Sequence, residues 1–250
     1  MPRKRLDICH PLVALLISAT LSGCIDHAEI LTLRPDGSGR LEVRQTIDMD
    51  VLEQVQQLIA SMDKGSQEAE KGLALFEEES LREALEVQEG LRVESIEIED
   101  REEDGARLRD LTLIVEFERP EALLLGKASI AIRPFSFVAT GEGHHFQRQV
   151  GIGPEEIQEL LSRRAREKAE EGEAMDLDES QIEGFRSLAG QILYGRKAIF
   201  ETRMPGPVQT ANVPEGSGRI EGTTVVWEYP LSDLIARSIE LDARIGNPQP

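Results

Sequence analysis

The chain has 250 residues, 40% hydrophobic and 4% aromatic, with 28 basic against 47 acidic side chains and a formal net charge of −19. So acidic a chain is repelled by nucleic acid and by anionic lipid headgroups, which excludes nucleic-acid binding, and so few rings argue against stacking platforms for sugars or bases. The apolar fraction is still enough to bury a core in one domain or two small ones.

In chain order, the first element is a targeting segment. Arg3, Lys4 and Arg5 precede an apolar run from Leu12 to Leu21, broken only by Ser18 and Thr20, and Leu21-Ser22-Gly23-Cys24 closes it. A basic start, a short apolar run and small residues make a secretory signal peptide; the run is about half the roughly twenty residues that cross a bilayer. The ending resembles the lipobox of bacterial lipoproteins. That resemblance implies cleavage between Gly23 and Cys24, lipidation of Cys24 with palmitate-type chains, and a membrane-held protein of the bacterial cell envelope facing the periplasm or the exterior. Ile25, where an Asp would favour the inner membrane, favours the outer one. Residues 1–23 are then removed. Residues 24–250 keep 25 basic and 46 acidic side chains, a net charge of about −21. Cys9 leaves with the signal and Cys24 carries lipid, so no thiol remains for a disulfide, a metal or nucleophilic catalysis.

Residues 28–34 and 40–47 alternate apolar and polar around Pro35-Asp36-Gly37-Ser38-Gly39, which reads as a β-hairpin. Residues 50–62 switch to helical spacing, with Asp48 or Asp50 as cap, and 72–88 form a second amphipathic helix with Leu73, Phe76, Leu81, Ala84 and Leu85 on its stripe. A second hairpin turns at Glu102–Gly105; Val93, Ser95 and Glu97 fall on one face of its first strand, Ile96 and Ile98 on the other, and Leu111, Leu113, Val115 and Phe117 line the return. Pro120 begins a short helical turn. Residues 127–140 and 144–150 look extended. Gly153-Pro154 opens a helix that leads to an exposed acidic loop near 170–180 and a further helix at 179–193. Four strands, broken by a short helix near 231–237, close the chain. The sum is a single α+β envelope domain over 24–250: an antiparallel sheet of hairpins with amphipathic helices from about 50–88 and 153–193 packed on one face. Residues 35–42 nearly repeat as 214–221, which convergent turn chemistry explains better than the alternative, a duplicated hairpin-plus-helix unit.

Catalytic and metal motifs fail on inspection. Arg34–Gln45 imitates a calcium loop through Asp36, Ser38 and Gly39, but lacks the first carboxylate and the closing Glu; Asp176–Gln181 lacks the loop's Gly. Ser61-Met62-Asp63-Lys64 has the Ser-x-x-Lys spacing without its Lys-Thr-Gly partner. His144 and His145 are adjacent, so on a strand they point apart, and His27 reads as tether. The acidic runs at 77–79, 97–104 and 167–179 read as solvated faces. The expectation is therefore no metal, no cofactor and no catalytic residue, with ligand and partner contacts left unassigned.

Phe200-Glu201-Thr202-Arg203-Met204-Pro205-Gly206-Pro207-Val208, then Ala211-Asn212 and the strand Thr224–Leu231 with Trp227, resemble the LppM-type domain of bacterial lipoproteins. The strand, hairpin and helix at 28–62 fit the same layout. The resemblance implies an envelope protein without an assigned reaction, and at most a lipid-binding role. Read from the residues themselves, Pro205-Gly206 is a turn and Trp227 a core anchor. The functional expectation is a non-enzymatic, lipid-anchored binding or assembly module whose partners are the membrane, through its lipid, and an envelope protein or lipid. The alternatives are a lipid or glycolipid carrier with an apolar pocket, and a hydrolase using paired carboxylates.

Overall fold

Period-two alternation carries most of this chain into strands. The computed structural model describes residues 25–53, 78–86, 88–123, 135–151 and 195–247. Among them are strands β1 (Ile25–Leu33), β2 (Gly39–Asp48), β3 (Leu91–Glu103), β4 (Ala106–Phe117), β5 (Phe135–Thr140), β6 (Gly143–Val150), β7 (Lys197–Arg203), β8 (Val208–Ala211), β9 (Arg219–Glu221), β10 (Thr224–Pro230) and β11 (Ile239–Gly246). They form two sheets, ordered β3-β4-β2-β1-β7-β10-β9 and β5-β6-β11-β8. Among the described residues, helix is confined to a turn at 49–53, α1 (Glu78–Glu86), a 3-10 turn at Pro120–Leu123 and α2 (Leu231–Ala236).

Both expected hairpins form. In the first, Asp36 Oδ1 accepts from the Ser38 backbone N–H at 3.0 Å and from its hydroxyl at 2.7 Å, so the calcium-loop imitation is a turn that binds itself. In the second, Asp104 and Gly105 both have positive φ (51° and 81°), which makes a two-residue turn matched to the strand twist. Asp48 is the cap expected for the next element: its Oδ1 accepts from the backbone N–H of Asp50 and Val51, both at 3.1 Å.

The α+β expectation is overturned. The described residues are mostly strand, in two sheets with only small helices. The inner faces of β1, β4, β7 and β10 meet the second sheet: Phe117 packs edge-on to Phe135, Phe135 lies 5.6 Å from Phe146, and Phe146 lies 6.0 Å from Trp227. One hydrophobic cluster spans both sheets, and α1 joins it through Leu81 and Leu85 beside β3. Each fully buried large side chain in it, such as Leu111 or Phe117, contributes about 1.5–3 kcal/mol. The sheet is not wholly antiparallel either, since β1 runs parallel to β7. Five strands follow residue 195 where four were expected. A register shift between Val93 and Ser95 turns Val93 onto the same core face as Ile96, against the plain alternation. The repeated 35–42 and 214–221 segments differ in role: the first joins two paired strands, whereas the second links β8 and β9 of different sheets. Residues 54–77 and 152–194, which hold most of the expected helices and the acidic loop, lie outside the described residues.

Candidate functional site

Gly23 and Cys24, the expected processing and lipidation residues, lie just outside the described residues, as do Ser61, Lys64, the 167–179 run and Asp176–Gln181. What the structure does place is the first residue after them: β1 begins at Ile25 and is the central strand of its sheet.

The most distinctive chemistry lies between the sheets. Alternation along β1 sends Glu29 to the same face as Leu31 and Leu33, and along β6 it sends Arg148 to the face of Phe146 and Val150. The two charged side chains, each 3% exposed, meet there at 2.6 Å between Arg148 Nη1 and Glu29 Oε2. Arg148 also sits over the Phe200 ring, 5.8 Å from its centroid. His27 Nε2 lies 2.9 Å from Glu29 Oε1, and His27 Nδ1 lies 3.0 Å from Gln45 Nε2. Burial alone would raise the Glu29 pKa; the Arg148 charge and the His27 hydrogen bond together outweigh it and hold it at about 2. Glu29 is thus a carboxylate at neutral pH. Both ring nitrogens of His27 are engaged, so the imidazole is held in place as a bracket. The expectation of His27 as tether is corrected: it is 15% exposed and part of this cluster.

The other singled-out residues fall elsewhere. Trp227 is fully buried, and its Nε1–H donates to Asn212 Oδ1 at 3.1 Å. The same oxygen accepts from the Asp242 backbone N–H at 2.8 Å, while Asn212 Nδ2 donates to the Glu240 carbonyl at 2.7 Å. The Asn and Trp of the C-terminal motif therefore tie β10 of one sheet to β11 of the other. Gly206 is needed for close approach, because a Cβ there would stand 2.4 Å from the Gly246 carbonyl oxygen. His144 and His145 do point apart: His144 stacks on Phe137 at 4.6 Å, and His145 Nε2 pairs with Asp242 Oδ2 at 2.6 Å.

Carboxylates of the 97–104 run lie along the edge strand β3, where Glu97, Glu99 and Glu102 are exposed. Asp100 is paired with Arg109, and Glu103 with Arg101. This is a solvated, arginine-laced edge, not a cleft with two facing acids, and it gives the hydrolase alternative no support. Between β4, β6 and β10 the aromatic chain fills the interlayer with side chains, so the carrier alternative gains none there. Among the described residues no three His, Cys, Asp or Glu side chains gather to hold a metal, and no helix is long and apolar enough to cross a membrane.

The cluster around Glu29 and Arg148 was missed in the sequence, although a signal was present. Arg148 has apolar neighbours two residues away on both sides, Phe146 and Val150, Glu29 has Leu31 on one side and His27 on the other, and the two charges are opposite.

No protein-family model and no curated protein matches the chain. Among solved structures, the NMR structure of the folded domain of LppM from Mycobacterium tuberculosis is similar, with 11% identity and a TM-score of 0.39, over 91% of this chain and 92% of that one. The chain thus bears a weak structural resemblance to that domain.

Proposed function

We propose that this chain is a non-enzymatic, lipid-anchored protein of the bacterial cell envelope, whose two-sheet fold serves as a binding or assembly module held at the membrane surface. The observation that carries the reading is the continuity between the lipobox cysteine and the fold: Cys24 ends the signal-like segment, and the central strand begins at Ile25. Each buried methylene of an acyl chain contributes roughly 0.8 kcal/mol, so two or three chains on Cys24 hold the protein durably in a bilayer. Among the described residues, the buried Glu29 carboxylate is spent on joining the sheets through Arg148 and on holding His27 of its own strand.

The test is metabolic labelling with palmitate, followed by membrane fractionation, for the native chain and Cys24→Ser. The native chain is expected to take up label and to sediment with membranes, whereas Cys24→Ser takes up none. Label in Cys24→Ser, or none in the native chain, overturns the reading.

A further inference from the structure

The register of the first sheet fixes which end of the fold adjoins the anchor. Ile25 is level with Ile47, which pairs with Arg109, which pairs with Asp100. Beyond that level the β3–β4 hairpin continues through Arg101↔Leu108, Glu102↔Arg107 and Glu103↔Ala106 to its turn at Asp104-Gly105. On the other side of β1 the same end holds the start of β7 and the end of β10, where Lys197 pairs with Pro230 and the Leu231 N–H donates to the Arg196 carbonyl at 3.0 Å. Helix α2 follows directly and leads to Ser238. The opposite end carries the β1–β2 turn and the β9–β10 turn at 222–223, and the β5–β6 hairpin reaches it too, since Gly37 adjoins Phe137 and Gly206 adjoins Gly246, the partner of Gly143.

One peptide bond, about 3.8 Å between Cα atoms, separates Cys24 from this sheet. A domain tethered by a single bond to its central strand cannot stand away from the bilayer or present another end to it. Resting on the lipid-anchor reading, we propose that the end formed by the hairpin tip at 101–107, residues 195–197 and α2 is a membrane-seated surface in contact with phospholipid headgroups. The tip runs three ladder pairs and a turn past the level of Ile25, about 10 Å or more at roughly 3.3–3.4 Å per residue, and so reaches the headgroup layer itself.

The tether, not charge attraction, seats this end, because its exposed cations lie among at least as many carboxylates. Arg107, Lys197 and Arg237 are more than half exposed there, each in an ion pair with a neighbouring carboxylate: Arg107 with Asp50 at 2.6 Å, Lys197 with Glu228 at 2.5 Å and Arg237 with Asp233 at 3.0 Å. Exposed pairs of this kind are weak and exchange readily, so each cation can turn to a lipid phosphate. The tip also carries Glu102, Glu103 and Asp104, so phosphate contact falls to the arginines at its base and to Lys197 and Arg237.

The mature lipoprotein has no free thiol, which allows single reporters. Glu102→Cys and Ser238→Cys mark the seated end, and Glu142→Cys and Thr223→Cys mark the opposite one; all four positions are exposed. Each lipidated variant is labelled with a fluorophore and reconstituted into phosphatidylethanolamine–phosphatidylglycerol vesicles with and without headgroup-spin-labelled lipid. The two seated-end labels are expected to lose most of their intensity to the quencher and the two distal labels to keep theirs, because β1 alone separates the ends by about 30 Å. Quenching equal at all four positions, greater at the distal pair, or absent from all four in protein that floats with the vesicles overturns the seated surface. Protein that does not float at all removes the anchor reading and the seat with it, so the two failures are told apart.

Discussion

Replacing Arg148 by Met tests the buried pair between the sheets. The change keeps most of the side-chain volume and strands Glu29, which is 3% exposed, without its cation. Breaking one side of a buried pair costs about 3–5 kcal/mol. The pH dependence gives a second magnitude. In the native chain Glu29 has a folded-state pKa of about 2 against an ordinary value of 4.5, so the unfolded chain binds its proton first. That difference of about 2.5 units is about 3 kcal/mol, present above pH 4.5 and lost as pH falls toward 2. In Arg148→Met, burial acts on Glu29 without its main counterweight and its pKa rises. The folded state then takes the proton more readily, and stability increases as pH falls from neutral toward 4.5. Urea titrations of both proteins at several pH values read this directly. The reasoning is refuted by a cost under about 1 kcal/mol at pH 7, or by a difference between the two proteins that does not shrink as pH falls. Glu29→Gln combined with Arg148→Met should recover much of the loss, since the neutral pair leaves no buried charge.

Truncating the core ring, Trp227→Ala, should cost about 3–5 kcal/mol in the same titration; a midpoint close to native would mean the ring is not packed. Asn212→Leu leaves the buried Trp227 N–H without its acceptor and should cost about 1–3 kcal/mol, and an unchanged midpoint would mean that water replaces the bond. Gly206→Ala brings a Cβ against the Gly246 carbonyl oxygen and should lower stability by about 1–3 kcal/mol with a shift confined to amides near 204–208 and 245–247; a neutral result would show that this close approach is readily relieved.

Local features were legible in the sequence. The hairpins follow from alternation and from turn residues that act within four or five positions, and the Asp48 cap and the burial of Trp227 follow from equally local chemistry. The division into two sheets was not legible, because β1 against β7 and β8 against β11 are pairings between distant segments that leave no local mark. Hairpins read one at a time gave a single sheet, and helices were assigned the task of covering a face that Phe135, Phe146 and Leu241 of the second sheet help to cover. The Val93 bulge escaped for a related reason: one added residue reverses the face, and nothing in Val93-Glu94-Ser95 announces it. His27 escaped because it reads as tether, one residue short of the strand at 28–34, and Glu29 because a charge on an alternating strand reads as facing solvent.

The intact mass of the mature protein, extracted from native-host membranes, tests the central claim most directly. The account predicts a polypeptide that begins at Cys24 plus a diacylglyceryl group, with or without an additional amide-linked acyl chain. A mass equal to an unmodified polypeptide, or one that retains residues 1–23, would contradict it.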